Sequence, residues 1–300
     1  MQFGVKPNFK NHFLVKFNHN TVDLNLMRNK SYLNLGLNLV SRFKLKDWWS
    51  WYDRIAQMLK LNRQLDQKSA YILSKLIINK SLKLNYLAKK FSKKILLVVG
   101  AGPSVEDDLQ KVLNSGFYKK CLIAAADGAT TPILKIGLTP DFIVTDLDGR
   151  LEDIFKASKF GSIPIIHAHG DNIEALKTYV PMFEKVLGTT QVKPVARVYN
   201  FGGFTDGDRC VFLGERFNVR KIVLAGMNFG SKIGAYSKPE DFYMLNPKAL
   251  KIKILKLKIA KMLIEWLSTW AKAEILNLTS NGEKIKGVKK VGYKDLISLK

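Results

Sequence analysis

The first long rhythm in the chain is helical. From Asp47, in "DWWSWYDRIAQMLKLNRQLDQKSAYILSKLI", apolar residues recur every three or four positions, and Trp48, Trp51, Ile55, Met58 and Leu59 form one stripe. A second helix is predicted over 66–78, with Asp66 near its start. Residues 46–90 therefore read as a helical N-terminal unit, its aromatics packed into a core rather than offered to nucleobases.

From Lys94 the rhythm shortens. "ILLVVG" (95–100), "CLIAAADG" (121–128), "DFIVTDLDG" (141–149), "IPIIHAHGD" (163–171), "VARVYNFGG" (195–203) and "KIVLAGMNFG" (221–230) are apolar, β-rich runs. Helical patterns such as 104–116 and 172–186 lie between them. Alternation of this kind predicts an α/β domain over 91–281, a doubly wound, mostly parallel sheet with helices on both faces. Residues 250–273 read as one long helix with lysines all around its wheel. One further strand and a turn follow from Ala273, and 282–300 reads as a C-terminal tail.

Four of the six runs end at, or lead into, Asp beside Gly, where such sheets bind ligands: beyond the carboxyl ends of strands, at the point where strand order reverses. In "TDLDG", Asp146 and Asp148 are two apart, so in extended backbone they project to one side, towards a hard cation. Asp-Gly is also turn chemistry, but four such motifs at successive strand ends favour function. "ADGA" adds Asp127 and Gly128. "HAHGDN" adds His167, His169 and Asp171; the His pair could meet zinc, yet oxygen donors predominate and favour magnesium. Asp171 is a further candidate metal ligand or general base.

Phosphate-binding candidates surround these acids. In "GAGPSVEDD", Gly100 and Gly102 allow a sharp turn, and Ser104 with Asp107 resembles a capping box at a helix N-terminus able to hold phosphate. Val105 stands where the dinucleotide fingerprint has its third glycine, which disfavours nicotinamide cofactors. A plain strand–helix turn explains this loop equally well. "FGGFTDGDR" combines Gly203, Thr205, Asp206, Asp208 and Arg209, whose guanidinium can clamp phosphate. Lys238 in "GAYSKPE" is a further phosphate candidate. No nucleophile elbow, complete P-loop or kinase signature set is present.

Composition changes this picture little. The 300 residues carry a formal net charge of +24 and 47% apolar residues. The basic excess is mostly lysine, and without an aromatic–basic RNA motif or helix-turn-helix signal it reads as general bias rather than a nucleic-acid footprint. Cys121 and Cys210 match no zinc spacing. No stretch is apolar enough to span a bilayer, and the first residues lack the core of a secretory signal. The expected setting is cytoplasmic, with no membrane partner. Residues 1–45 read as a basic, Asn-rich extension, and His12 and His19 within it receive no role.

At "GAGPSV", "ADGAT", "PDFIVTDLDG", "HAHGDN", "FGGFTDGDR", "AGMNFG" and "GAYSKPE" the sequence resembles the archaeal 6-hydroxymethyl-7,8-dihydropterin pyrophosphokinases, the MptE-like family. The resemblance covers roughly 46–290 and is specific only as a set. This family in turn resembles thiamin pyrophosphokinases, whose acidic strand-end motifs hold magnesium and ATP. The resemblance implies transfer of pyrophosphate from ATP to the pterin hydroxymethyl, with AMP as co-product, in tetrahydromethanopterin or folate biosynthesis. It implies Asp146, Asp148 and Asp171 as Mg²⁺-site residues, and contacts from Asp127 and 205–209 to nucleotide or pterin. A homo-oligomer is compatible with it. Two rival readings are a nucleotide-sugar glycosyltransferase of the motility-associated type and a nucleic-acid-binding protein on a borrowed scaffold.

Overall fold

The computed structural model of the chain describes residues 45–238 and 242–299. Apart from Leu45, the N-terminal extension with His12 and His19 lies outside the described residues. The helical unit comprises α1 (Leu45–Leu59), α2 (Arg63–Leu76) and α3 (Leu84–Phe91). The buried stripe of α1 is Trp48, Tyr52, Ile55 and Ala56, one residue round from the expected one, and Met58 is 50% exposed. Helix α2 begins three residues before the expectation because the Asn62 side chain caps it, accepting from the amides of Gln64 and Leu65. Asp66 then falls in its first turn and is buried.

The rest alternates strand and helix. β1 (Ile95–Val99), α4 (Val105–Asn114), β2 (Leu122–Ala126), α5 (Thr130–Lys135), β3 (Phe142–Thr145), α6 (Leu151–Lys159), β4 (Ile163–Ala168), α7 (Ile173–Tyr179), β5 (Leu187–Thr190) and β6 (Val198–Tyr199) come first. They are followed by α8 (Asp206–Arg216), β7 (Lys221–Ala225), α9 (Phe242–Leu245), α10 (Pro247–Ser268), β8 (Glu274–Asn277), β9 (Lys289–Lys290) and α11 (Tyr293–Ser298).

The nine strands among the described residues lie parallel in one sheet, in the order β6-β5-β4-β3-β2-β1-β7-β8-β9. Its interior strands are continuous apolar runs because helices cover both faces, leaving no solvent side to alternate towards. β1 is buried at all five positions. From β1 the chain steps outward through β6; α8 then returns beneath β1, β2 and β3, and β7 pairs on the other edge of β1. Strand order thus reverses at β1/β7, which fixes where a ligand crevice forms.

Three differences from the sequence expectation are local. Only Val198–Tyr199 of the 195–203 run forms a strand. β5, "LGTT", is an additional strand. The expected tail supplies β9, paired to Leu276 and Asn277, and Leu296 of α11 is fully buried. The N-terminal unit shares this core: the Phe91 ring stacks on Phe142 at 4.2 Å and on Phe217 at 5.4 Å. No helix among the described residues is long and apolar enough to cross a membrane.

Candidate active site

A crevice with about 780 Å³ of open space lies beyond the carboxyl ends of β1, β2, β3 and β7. Residues 100–103 after β1, Asp127 and Gly128 after β2, Asp148 after β3 and 226–229 after β7 line it. Thr205, Asp206 and Gly207 bring in the N-terminus of α8, with its partial positive charge, and Lys232, Lys238 and Lys253 add full charges. This is the place where strand order reverses.

Asp127 and Asp148 of this lining face Asp146, and carboxylate oxygens of the three all lie within 4.8 Å of one another. The local fold that achieves this is tighter than an extended strand. β3 ends at Thr145, and Leu147 takes a left-handed φ of +69°. The Thr145 hydroxyl accepts from the Leu147 amide and donates to Asp127, tying the β2 and β3 loops together. Gly149 is required here for space: a Cβ would fall 2.1 Å from Asp127 Oδ2. Asn172 braces the turn from the β4 side, its amide donating to the carbonyl oxygens of Asp146 and His167.

The electrostatics are those of acids crowded together with few counter-charges. Burial, then the charges of Asp146 and Asp148, push Asp127 up to about 7. Burial and the neighbouring Asp146 and Asp127 push Asp206 well above the usual carboxylate range. Asp148 is raised for the same reasons, with Lys238 opposing. Asp146 is the exception: burial disfavours its charge, but the hydrogen bond and charge of His169, followed by Asp148 and Arg209, hold it well below its ordinary value. One buried oxygen of Asp146 and one of Asp206 have no hydrogen-bond partner. Converging hard oxygens with unused acceptor capacity fit a small divalent cation such as Mg²⁺. His167 is no rival ligand. Its Nδ1 faces the Thr189 hydroxyl, its Nε2 accepts from Arg209, and burial with the Arg209 charge keeps it neutral.

Several expected site residues stand elsewhere. Asp171 is exposed on the turn after β4, outside the carboxylate cluster; its amide donates to His169 Nδ1. The neighbour of Asp146 is instead His169, with Nε2 at 3.2 Å. Arg209 does not line the crevice: it is buried behind the acids, bonded to His167 and Gln191 and 3.7 Å from Asp206. It stands here as a buried counter-charge to Asp206, facing away from the crevice. Asp208 is equally internal, accepting from the Phe204 amide and from the amide and hydroxyl of Thr205 as the cap of α8. Gly203, at φ +85°, packs against the Arg209 backbone.

The loop after β1 is also knitted into the protein. Ser104 does not form the expected box with Asp107. Its hydroxyl donates to Asp108, and its amide to Asn228. The amides of Gly100 and Gly102 donate to Ala225 and Gly226 carbonyls. Both glycines line the crevice, but the turn reading of "GAGPS" accounts for these amides.

Three polar crevice residues, Asn228, Lys232 and Lys253, carry no distinctive signal in the sequence. Asn228 lay in a quoted motif without an assigned role, and Lys232 sits in a polar loop. Lys253 is one of many similar lysines on α10, and only the approach of that helix to the β7 loop distinguishes it.

The model of the family described as 6-hydroxymethylpterin diphosphokinase MptE-like matches residues 72–234. A protein of Pyrococcus furiosus named 6-hydroxymethyl-7,8-dihydropterin pyrophosphokinase is 39% identical over 240 residues, covering 79% of this chain and 99% of that protein. One of the same name from Methanothermobacter thermautotrophicus is 41% identical over 221 residues, covering 73% and 93% respectively. Among solved structures, a MAf glycosyltransferase from Magnetospirillum magneticum AMB-1 matches 68% of this chain and 34% of its own, with 16% identity and a TM-score of 0.42.

Proposed function

The chain belongs to the family of MptE-like 6-hydroxymethylpterin diphosphokinases, and from that premise we propose that it transfers the terminal diphosphate of ATP to 6-hydroxymethyl-7,8-dihydropterin. The observation that carries this reading is the convergence of Asp127, Asp146 and Asp148 beside a crevice at the β1/β7 reversal that three lysines also line. In the reaction the pterin hydroxymethyl oxygen bonds to the β-phosphorus, the bond from that phosphorus to the α–β bridging oxygen breaks, and AMP leaves. The hydroxyl proton passes to water or to the departing AMP phosphate. The product would serve tetrahydromethanopterin or folate synthesis.

Little covalent work falls to the protein in such a transfer; positioning and charge neutralisation carry it. Mg²⁺ held by Asp127, Asp146 and Asp148 would draw charge off the phosphates. Lys232, Lys253 and the N-terminus of α8 supply positive potential along the crevice wall. The hydrogen bond and charge of His169, then Asp148 and last the Arg209 charge, favour ionised Asp146. His169 orients it, with Nε2 3.2 Å from Asp146 and Nδ1 facing the Asp171 amide.

The test is product analysis after mixing the protein with Mg²⁺, ATP and 6-hydroxymethyl-7,8-dihydropterin. AMP and the pterin diphosphate are expected, and Asp146→Asn should turn over at least about 100-fold more slowly with its fold intact. Formation of ADP, or no loss of ATP, would sink the reading. Consumption of a sugar nucleotide instead would bring the glycosyltransferase alternative forward.

A further inference from the structure

Lys238 occupies an odd place for a residue that would bind phosphate. Its ammonium lies 2.9 Å from Asp148 Oδ2 and 2.8 Å from the Asp148 carbonyl, at one of the three clustered carboxylates. Its side chain is only 23% exposed. The segment that carries it, 231–238, lines the crevice and packs against the strand-end loops after β1 and β2. A Cβ on Gly128 would fall 2.0 Å from the Tyr236 carbonyl oxygen. The Tyr236 hydroxyl donates to Glu106 of α4 and accepts from Lys135 of α5 at 2.8 Å. The segment is thus anchored at Tyr236, and two residues later Lys238 reaches inward.

Asp148 cannot serve an ammonium and a divalent cation equally at the same time. The two charges repel across a few ångströms, and each needs the carboxylate lone pairs. Lysine sits on a flexible four-carbon stem, so its head can leave Asp148 while the anchored backbone stays. We propose that Lys238 is a built-in counter-ion of the carboxylate cluster, which the divalent cation displaces and which then turns to the phosphates of the nucleotide. This rests on the metal-dependent reading of the site given above. Under it, free metal competes with a resident charge, whereas metal arriving with nucleotide gives that charge a new partner. The crevice therefore favours the metal–nucleotide complex over bare metal.

The experiment is a Mn²⁺ titration of the full chain without nucleotide, read by the EPR signal of free Mn²⁺, on the wild type, Lys238→Met and Lys238→Arg. Lys238→Met should bind Mn²⁺ roughly three- to tenfold more tightly than the wild type, and Lys238→Arg should resemble the wild type. With ADP present the order reverses: Lys238→Met should hold the Mn²⁺–ADP complex roughly tenfold more weakly. Equal Mn²⁺ affinity in wild type and Lys238→Met overturns displacement. Weaker binding by Lys238→Met also overturns it, because the lysine then merely supports the cluster. No Mn²⁺ binding by any of the three removes the metal reading itself, and the proposal with it. Melting curves recorded beforehand separate a loss of fold from a loss of binding.

Discussion

Asp127→Asn should stabilise the metal-free protein while abolishing its response to metal. Asp127 is buried beneath Gly149, receives the Thr145 hydroxyl and faces Asp146 and Asp148. Its carboxyl, raised from 3.8 to about 7, holds a proton that the unfolded chain would release. Between those two values the folded state binds more protons than the unfolded one, so stability falls as pH rises from about 4 to about 7. The shift of roughly 3 units sets a ceiling of about 4 kcal/mol. Water at the mouth of the crevice screens part of this, and about 2 kcal/mol is the working figure.

Asparagine fits the site. Asp127 has φ +41°, a left-handed conformation that Asn tolerates. Its amide oxygen can still accept from Thr145, and its NH₂ can donate towards the other two carboxylates. Above pH 7 in EDTA the variant should melt about 5 °C higher than the wild type, and its stability should depend less on pH between 4 and 7. Added Mg²⁺ should raise the wild-type melting temperature and leave the variant almost unmoved. Thermal melts at pH 5, 6, 7 and 8, with EDTA or MgCl₂, read both effects. A variant that melts lower than the wild type in EDTA at pH 8, with an unchanged pH slope, would show that these acids do not repel one another in the metal-free protein.

Two further substitutions separate the cations. Arg209→Met should destabilise the fold by about 3 kcal/mol, because it breaks the buried Arg209–His167–Gln191 network and takes a positive charge away from half-buried Asp206 and Asp146; denaturant melts measure it, and a selective rise in the KM for ATP with normal stability would support the phosphate-clamp role. Lys253→Ala on the crevice wall should instead raise the KM for ATP about fivefold with kcat nearly unchanged and stability unaltered, which steady-state kinetics and a melt check together.

What the sequence revealed follows from how local each signal is. β1 to β4 and β7 announced themselves because a strand covered on both faces must be apolar at consecutive positions. β5 hid because Gly188 and two threonines dilute the run, and β9 because two exposed lysines pair with β8 through backbone alone. The acids of "TDLDG" were legible as a pair, although the turn at Leu147 brings them together where an extended strand was expected. Asp127 was legible as a strand-end acid, but its place among the other two depends on Thr145 reaching across from the neighbouring strand.

Arg209 shows where such reading stops. A guanidinium beside glycines, a threonine and two aspartates has the composition of a phosphate site, yet α8 runs beneath the sheet and turns that side chain inward. There it meets His167 and Gln191, and Gln191 in turn donates to Asp66 of α2, which also accepts from Tyr52 and from the Gly170 amide. That chain joins residues from α1 and α2 of the N-terminal unit to the turn bearing His169 and so to Asp146. The helical unit, which looked like a separate module in the hydrophobic pattern, thus buttresses the acids beside the crevice. A buried charge network of this kind is costly to hold unless each member is partnered. Truncation of α1 and α2 would therefore strip support from Arg209 and the β4 turn together, not trim a dispensable appendage.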